Sequence, residues 1–305
     1  MNTPLRIAAI GECMIELSDL DAGDGRVRLG VAGDSFNTAV YLARGLGSAG
    51  RVSYLTRLGE DAFSARILAA MQAEGIDTAP VGRDPARLPG LYAIETDPAG
   101  ERRFHYWRSD SAARRLFAEA PPDLAALDGF DVIHLSGISL AILAPEARTA
   151  LIDRLGALRA AGTVISFDSN YRPRLWPDGA AAREVFAAMW RATTIALPSR
   201  DDEAALHPGE SVADMLERIA AAGVREIALK DGAGGVHLWA DGRRVPAGPW
   251  PGARRVIDTT GAGDAFDAGY LAARLTGTAP AAAAAAGHDL ALRVLATPGA
   301  ILPRG

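Results

Sequence analysis

Short apolar runs and longer stretches of helical periodicity alternate along most of the chain. The apolar runs predict buried strands at residues 7–10, 52–58, 132–135, 163–167, 194–197 and 226–230. Apolar positions spaced three and four residues apart predict helices at residues 35–43, 62–74, 145–160, 180–191, 212–222, 262–275 and 281–295. This alternation is typical of an α/β fold with a mostly parallel sheet covered by helices on both faces.

Two predicted hairpins interrupt the alternation. Residues 91–96 and 102–107 are β-rich runs joined by Asp97-Pro98-Ala99-Gly100, a strong turn signal. Because no helix separates these runs, we expect them to form a small sheet that projects from the main one, together with residues 14–29. The second hairpin pairs residues 235–239 with residues 243–245 and turns at Asp241-Gly242.

Composition limits the class of protein. A chain of 305 residues is long enough for one large α/β domain, which we expect to span residues 1–305. A net charge of −5 without a basic block argues against nucleic acid as a partner. The single cysteine, Cys13, excludes an internal disulfide and is typical of a reducing compartment. With no signal-like N-terminus and no apolar run of about 20 residues, the sequence predicts a cytoplasmic protein without a membrane partner.

Polar residues follow several of the predicted strands. They are Gly11-Glu12, residues 168–170, Ser199 and residues 230–232. In open α/β sheets, ligands bind beyond the carboxyl ends of the strands. A polar loop residue or a helix cap explains any one of these positions equally well, but their convergence favours a binding site.

A glycine-rich loop at residues 258–264 precedes the helix predicted at 262–275. The free amides at such a helix end attract anions, and Gly261 and Gly263 allow a phosphate to approach the backbone closely. Asp264 would repel a phosphate that only had to be held. It is explained either as a helix cap or as the base that accepts a proton from a hydroxyl attacking a phosphate.

These segments together resemble the ribokinase-like (PfkB) sugar kinases over nearly the whole chain. The resemblance rests on Gly33-Asp34-x-x-Asn37, Asp168-x-Asn170-x-Arg172, Lys230-x-Gly232-x-x-Gly235 and the loop at 258–264. Five further segments are similar to the 2-keto-3-deoxygluconate kinases, namely residues 10–17, 88–92, 104–108, 135–143 and 170–176. The resemblance implies a ribokinase-like α/β fold with a small β-sheet lid from residues 12–30 and 88–110. It also implies transfer of phosphate from ATP to the 6-hydroxyl of 2-dehydro-3-deoxy-D-gluconate.

The resemblance also implies roles for the loop and for the first helix. Asp264 would be the general base on the sugar hydroxyl, and the amides of Gly261, Ala262 and Gly263 would form an anion hole for the moving phosphoryl group. The positions that match contacts to sugar hydroxyls are Gly33, Asp34 and Asn37. For Asn37, an amide on the helix surface is the alternative.

Four residues match positions that contact the keto acid in this family: Tyr92, Tyr106, Arg108 and Arg172. Residues 106 and 108 are two apart in the predicted strand, so we expect their side chains to share a face. An arginine binds a carboxylate in bidentate fashion, and this substrate carries one, unlike fructose or ribose. The alternative for Arg108 is a solvated charge at a strand edge.

The nucleotide side is implied by a separate set of matches: Asn170, Ser199, Lys230, Gly232, Gly235, Gly261, Gly263 and His288. One departure concerns the metal. Where many relatives carry Asn-x-x-Glu, this chain has Ser199, and either Asp202 or Glu203 must supply the acid. Mg²⁺ is expected with ATP, since it would neutralise the phosphates.

Other functions remain open to test. The same fold acting on fructose or on the galactonate epimer of the keto acid is the nearest alternative, and a non-catalytic sugar sensor is another. A dinucleotide-binding oxidoreductase would require G-x-G-x-x-G after the first strand, which Gly11-Glu12-Cys13 does not supply. Because lid sheets have exposed β surface, we also expect a homo-oligomer formed through the lid.

Overall fold

A computed structural model describes residues 3–20, 26–96, 102–119 and 124–304 of the chain. Its strands, in chain order, are β1 Leu5–Ile10, β2 Met14–Ser18, β3 Arg28–Ala32, β4 Gly50–Leu55, β5 Arg57–Leu58, β6 Gly82–Arg83, β7 Leu91–Thr96, β8 Arg102–Trp107, β9 Val132–Ser136, β10 Val164–Asp168, β11 Ile195–Ala196, β12 Glu226–Lys230, β13 Val236–Ala240 and β14 Arg243–Val245.

The α-helices are α1 Asp34–Leu46, α2 Ala62–Ala73, α3 Gly137–Ile142, α4 Pro145–Ala160, α5 Gly179–Ala192, α6 Arg200–Leu206, α7 Val212–Ala221, α8 Ala262–Leu275 and α9 Pro280–Leu295. Several begin where a side chain accepts hydrogen bonds from first-turn amides. Asp61 accepts from the amides of Phe63 and Ser64 at the start of α2, and Asp178 accepts from the amide of Ala181 at the start of α5. None of the helices in the described ranges has the length and apolar character needed to cross a membrane.

The main sheet has the strand order β14-β13-β12-β11-β10-β9-β1-β4. Neighbours from β4 to β12 pair in parallel, while β13 and β14 pair antiparallel. Asp241 and Gly242, at the turn of that hairpin, have φ values of 53° and 76°, as the predicted tight turn requires. The predicted α/β fold with a mostly parallel sheet is therefore confirmed.

Two apolar cores lie on opposite faces of the main sheet. One includes Leu151 of α4, Phe186 of α5 and Met215 of α7. The other includes Phe36 of α1 and Phe266 of α8. Since each helix buries one stripe against the sheet, the strands are covered on both sides and most of their residues are buried. This burial holds the strand ends and the helix starts rigidly together.

A second, four-stranded sheet has the order β3-β2-β7-β8 and carries a small apolar core of its own. We call it the small sheet. Strands β2 and β7 pair in parallel, and the outer pairs are antiparallel. It contains the strands predicted for the projecting sheet. The turn predicted at residues 97–100 and part of the 12–30 segment lie outside the described residues.

The predicted strand at 52–58 is wrong in its extent. The structure breaks it at Thr56, whose carbonyl accepts a hydrogen bond from the amide of Gly82. Strand β5 then pairs with β6 instead of joining the main sheet.

Helices α3 and α6 were not predicted, since each is a single short segment. Both begin at a capping serine, Ser136 and Ser199 respectively.

Candidate active site

The predicted polar positions meet at one edge of the main sheet. Strands β1, β9, β10 and β12 run in the same direction, so Glu12, Ser136, Asp168 and Lys230 lie at their common carboxyl edge. Helices α1 and α8 begin near the same edge. The Thr38 hydroxyl of α1 donates a hydrogen bond to the carbonyl of Asp264 in α8 over 3.3 Å. The edge therefore brings two helix N-termini to a cluster of carboxylates.

Helix α8 begins at a backbone that only glycine tolerates well. Gly261 has a φ of +77°, and a Cβ at this position would lie 2.7 Å from the Cβ of Ala300. Gly263, in the first turn, is exposed. The amide of Ala262 makes a long contact of 3.4 Å to the carbonyl of Thr259. First-turn amides have no acceptor within their own helix, so this end of α8 can receive an anion.

Asp264 is half-buried in the first turn of α8. Its Oδ2 accepts a hydrogen bond of 2.8 Å from Nδ2 of Asn37. Burial raises the pKa of Asp264 to about 8, and the neighbouring carboxylate of Asp34 adds to the rise. A carboxylate with this pKa accepts a proton near neutral pH much more readily than an ordinary aspartate does.

Asn37 has a second polar atom directed into the same region. Its side chain is buried, and Oδ1 has no hydrogen-bond partner within the described part of the chain. Leaving a buried amide oxygen unpaired costs about 1–3 kcal/mol. A donor such as a sugar hydroxyl beside Asp264 would satisfy it, because Nδ2 of the same amide already holds the Asp264 carboxylate.

Asp34, the first residue of α1, is held from the sheet edge. Its Oδ2 accepts a 2.9 Å hydrogen bond from Nδ2 of Asn170 and another from the hydroxyl of Ser136. Asn170 has a φ of +28°, an uncommon conformation for a residue other than glycine. The resemblance assigned Asn170 to the nucleotide side, whereas its amide contacts the carboxylate assigned to the sugar.

Lys230 forms a buried ion pair with two carboxylates. Nζ lies 2.8 and 2.9 Å from the two oxygens of Asp267 and 3.1 Å from Oδ1 of Asp168. Burial opposes the charged form of Lys230, but the two carboxylates outweigh it and raise the pKa of its ammonium. Asp267 follows Asp264 by three residues on α8, so this pair ties the start of α8 to β10 and β12.

Gly33 has a packing reason for its size. A Cβ at this position would lie 2.3 Å from the carbonyl oxygen of Glu12. Its carbonyl accepts a 2.7 Å hydrogen bond from the amide of Asn37 in the first turn of α1. Gly33 therefore lets α1 begin directly against the loop after β1.

On the small sheet, Tyr92 and Tyr106 lie side by side. Their ring centroids are 5.7 Å apart, Tyr92 is buried and Tyr106 is 51% exposed. The Tyr92 hydroxyl donates to Oε2 of Glu16, and burial, followed by that carboxylate, raises its pKa. Tyr106 thus presents the more accessible surface of the pair.

Arg108 lies one residue beyond the end of β8, but its guanidinium lies over the Tyr106 ring, so the two side chains are adjacent, as the sequence predicts. Strand β8 ends at Trp107, and the carbonyl of Arg108 accepts a hydrogen bond from the amide of Ser111 in the turn that follows. Arg108 is not a solvated edge charge. Its side chain is 10% exposed, forms an ion pair with buried Glu12 and lies 5.9 Å from the Tyr106 ring centroid.

Arg172 has the more accessible guanidinium of the two predicted arginines, with 55% of its side chain exposed. It lies 3.6 Å from Oδ1 of Asp202. Burial raises the pKa of Tyr106. The positive charges of Arg108 and Arg172 lower this pKa, and the negative charge of Asp34 raises it further. These charges therefore face one another between the small sheet and the main sheet.

On the other side of the cluster, the turn after β12 contains Gly232 and Gly235, with φ values of +49° and +85°. A Cβ at Gly235 would overlap the indole of Trp250 at 1.9 Å, so the glycine makes room for that side chain. The Trp250 and His288 ring centroids are 5.3 Å apart, and the His288 imidazole lies 2.8 Å from the carbonyl of Pro251. The Trp250 indole therefore packs against both His288 and this turn.

Ser199 is the N-cap of α6, where its hydroxyl accepts a 3.1 Å hydrogen bond from the amide of Asp202. Of the two acids left open by the sequence, Asp202 faces the cluster. It accepts a 3.1 Å hydrogen bond from Ser169, and burial, followed by the Asp168 charge, raises its pKa. Glu203 is fully buried and pairs instead with Arg218 at 2.7 Å; burial raises its pKa to about 7.

Metal ligands of the cage type are not found in the described ranges, where no group of three or more His, Cys, Asp or Glu side chains is arranged to hold an ion. Mg²⁺ in phosphoryl-transfer enzymes takes one or two carboxylates, with water and substrate phosphates filling its other positions. Asp168 and Asp202, which interact electrostatically at the sheet edge, fit that pattern.

The small sheet also contacts the glycine loop. The guanidinium of Arg102 in β8 forms an ion pair with Oδ1 of Asp258, and its Nη1 donates to the Thr260 hydroxyl over 3.1 Å. Asp258 in turn accepts hydrogen bonds from the amides of Thr260, at 2.9 Å, and Gly299, at 2.6 Å. One side chain therefore joins the small sheet to the loop that begins α8.

Sequence reasoning missed Ser136, Asp267, Glu16 and Arg102 as parts of this site. Asp267 had a usable signal, because it follows Asp264 by three residues in the predicted helix and residues at that spacing are neighbours. Glu16 and Arg102 gave no signal, since their partners are distant in the sequence.

Comparison with known proteins agrees with the arrangement. The model of the pfkB family carbohydrate kinases matches residues 5–304. The 2-dehydro-3-deoxygluconokinase of Escherichia coli K12 is 46% identical over 306 residues, which cover 98% of this chain and 97% of the relative. The protein of that name from Dickeya dadantii is 45% identical over 307 residues, covering 99% and 98%.

The fold has a match among solved structures. The crystal structure of a PfkB protein from Polaromonas sp. JS666 has a TM-score of 0.84 and 27% identity, covering 98% of this chain and 97% of that one. The ribokinase-like fold inferred from the motifs is thereby confirmed. The family match extends over nearly the whole sequence, and the glycine loop at Asp264 lies within it, so this chain belongs to the pfkB family of carbohydrate kinases.

Proposed function

We propose that this enzyme transfers the γ-phosphoryl group of ATP to the 6-hydroxyl of 2-dehydro-3-deoxy-D-gluconate. The observation that carries the proposal is the half-buried carboxylate of Asp264, held by Asn37 at the N-terminus of α8. The names of the relatives at 45–46% identity support the choice of sugar.

Asp264 acts as the general base in this proposal. Its raised pKa, about 8, lies close to physiological pH, where a base combines sufficient ionisation with sufficient proton affinity. The proton passes from the 6-hydroxyl to the Asp264 carboxylate as that oxygen attacks phosphorus. The amides of Gly261, Ala262 and Gly263 then stabilise the charge on the transferred group, because they lie at the positive end of α8.

The sugar lies between α1 and the small sheet. Asp34 and Asn37 accept hydrogen bonds from its hydroxyls, and the unpaired Oδ1 of Asn37 supports this role. Gly33 contributes by letting α1 start close to the loop after β1. Tyr92 and Tyr106 provide an aromatic wall.

The substrate carboxylate binds between Arg108 and Arg172. Glu12 already offsets the charge of Arg108, whereas Arg172 is more exposed and only loosely paired with Asp202. We therefore assign the larger part of carboxylate recognition to Arg172.

ATP binds along Ser199, Lys230, Gly232, Gly235, Gly261, Gly263 and His288, and Asn170, which also contacts Asp34, borders both substrates. Positive φ at Gly232 and Gly235 supports a turn that approaches the nucleotide closely. Mg²⁺ would be held by the phosphates with Asp202 and Asp168 nearby, and it would neutralise the charge on the phosphates. The ATP requirement and the single cysteine support a cytoplasmic location.

The small sheet serves as a lid that excludes water from the reacting phosphate.

The small sheet also offers a surface to a second copy of the chain. Trp107 and Leu88 are each 61% exposed, and β3 and β8 are the outer strands of this sheet as described. Light scattering tests this association: Trp107→Glu should lower the measured mass to that of a monomer, and an unchanged mass would exclude this interface.

The function is tested by coupled ADP release with Mg-ATP and 2-dehydro-3-deoxy-D-gluconate, beside its galactonate epimer, fructose and ribose. Turnover on the gluconate keto acid is expected. Preference for the epimer would show that the substrate has the opposite configuration at one hydroxyl. Preference for fructose would exclude the proposed role of Arg172 in binding a carboxylate. Sugar binding without any turnover would indicate a sensor.

A further inference from the structure

Lys230 is the only lysine in a chain with 32 lysine and arginine residues. Every other basic position carries arginine. Lysine and arginine serve about equally well as solvated surface charges. A single lysine among so many arginines therefore indicates a site that requires an ammonium and does not accept a guanidinium.

The surroundings of Lys230 suit a compact cation. Nζ reaches three carboxylate oxygens within 3.1 Å, two on Asp267 and one on Asp168. Its side chain is 13% exposed and that of Asp267 is fully buried. A Cβ placed on Gly263 would lie only 3.8 Å from Nζ. The ammonium thus lies beside the first turn of α8, and the longer, planar guanidinium of an arginine would extend further towards that turn.

We propose that Lys230 is a positioning residue whose ammonium clamps the first turn of α8 to the ends of β10 and β12. The clamp holds Asp264 and the amides of residues 261–263 in place for phosphoryl transfer. This inference rests on the function proposed above, in which those groups act on the sugar hydroxyl and the phosphate.

Two contacts on opposite sides hold the start of α8. Asn37 binds Asp264 from α1, and Lys230 binds Asp267 from the sheet. The groups that face Asp264 electrostatically are Asp34 and Tyr41 from α1, Asp168 from β10, Lys230 from β12 and Asp267 from α8 itself. Lys230 is the cation in this set, so its loss leaves the carboxylates to repel one another and releases the turn.

Three variants test the clamp: Lys230→Arg, Lys230→Met and the double variant Lys230→Met/Asp267→Asn. Misplacing catalytic groups by about 1 Å costs roughly a hundredfold in rate. We therefore expect Lys230→Arg to lower kcat at least about tenfold with KM for the sugar nearly unchanged. Arg243→Met, which removes an exposed cation on β14, is the matched control and should retain full activity.

The double variant separates positioning from charge balance. It replaces the Lys230–Asp267 ion pair by a neutral pair and leaves Asp168 as the one charged partner, so we expect its melting temperature to lie above that of Lys230→Met while kcat stays low. Recovery of kcat to the wild-type level would overturn the proposal, because Lys230 would then only neutralise Asp267. Full activity of Lys230→Arg would overturn it as well.

A second measurement does not depend on turnover. Since Lys230 is the sole lysine, an amine-reactive acetylating reagent applied to the folded protein at pH 8.5 modifies no other side-chain amine. Mass spectrometry of the peptide that contains Lys230 then measures how fast this side chain reacts. We expect the native protein to react at least about tenfold more slowly than Asp267→Asn, because the clamp holds the amine covered against Asp267. Equal rates would overturn the clamp. An inactive wild type that still protects Lys230 would instead refute the proposed function and leave the clamp standing.

Discussion

Asn37 in α1 and Asp264 in α8 are 227 residues apart in the sequence, yet their side chains are joined by a 2.8 Å hydrogen bond. The bond directs one oxygen of the carboxylate towards α1. It also leaves Oδ1 of Asn37 buried beside Asp264 with no partner in the described part of the chain. Two helices that pack on one face of the sheet therefore present a carboxylate and an unsatisfied acceptor to the same small space.

Asp264→Asn should lower kcat by about 10²–10⁴-fold, the range that general base catalysis typically contributes. KM for the sugar should change little, since an asparagine keeps a hydrogen-bonding side chain next to Asn37. Steady-state ADP release measures both values. Asp289→Asn, an exposed acid on α9, is the control. Near-wild-type kcat in Asp264→Asn would remove Asp264 from the base role.

The pH dependence of kcat/KM should show an acid limb with an apparent pKa of about 8. Burial and the charge of Asp34 raise the pKa of Asp264 to that value, and the base acts only when it is deprotonated, so activity falls as pH decreases. Asp34→Asn removes one neighbouring charge and should move the limb to lower pH. A limb that stays in place in that variant would contradict this assignment.

The same shift predicts that Asp264→Asn stabilises the protein at alkaline pH. The folded-state pKa of Asp264 lies above the usual value of about 3.9, so the folded chain binds this proton more tightly than the unfolded chain does. Stability from this group is therefore lost as pH rises from about 4 to about 8. Calorimetry should show a higher melting temperature for the variant at pH 8.5, by roughly 2–4 °C per kcal/mol, and a smaller gain at pH 5.5. A gain that does not change with pH would refute the linkage.

Arg172→Ala should raise KM for the keto acid about tenfold to a hundredfold, equivalent to the roughly 1.5–3 kcal/mol that hydrogen bonds to charged groups contribute. The KM of this variant for a neutral sugar such as fructose should equal that of the wild type, because such a sugar has no carboxylate. Initial-rate kinetics with both sugars measure the difference. Arg191→Ala, at an exposed position near the end of α5, is the control. An equal effect on both sugars would show that Arg172 does not recognise the carboxylate.

Arg102→Ala should lower kcat/KM by about tenfold. The ion pair of Arg102 with Asp258 joins the small sheet to the loop before α8, and its loss lets the sheet and the loop move independently. Arg103→Ala removes a neighbouring, exposed arginine of the same strand and should have little effect. Equal kinetics for the two variants would show that the ion pair does not contribute to turnover.

The hydrophobic pattern determined the layered architecture. Buried strands such as β12 and helices such as α4 and α8 were predicted with the bounds observed, because their periodicity is local and strong. The glycine loop at Gly261 and Gly263 also identified the helix start, since positive φ and close approach have a local signature. These features depend on residues that are near neighbours in the chain.

Only the tertiary structure decided which polar groups meet. Asn37 with Asp264, Arg102 with Asp258 and Lys230 with Asp267 are all pairs formed across large separations in the sequence. A side chain's burial, charge partner and pKa follow from packing between elements, and no local pattern specifies that packing. For this reason no pattern in the sequence indicates that Glu12 is the ion-pair partner of Arg108, whose guanidinium the fold places against that buried carboxylate.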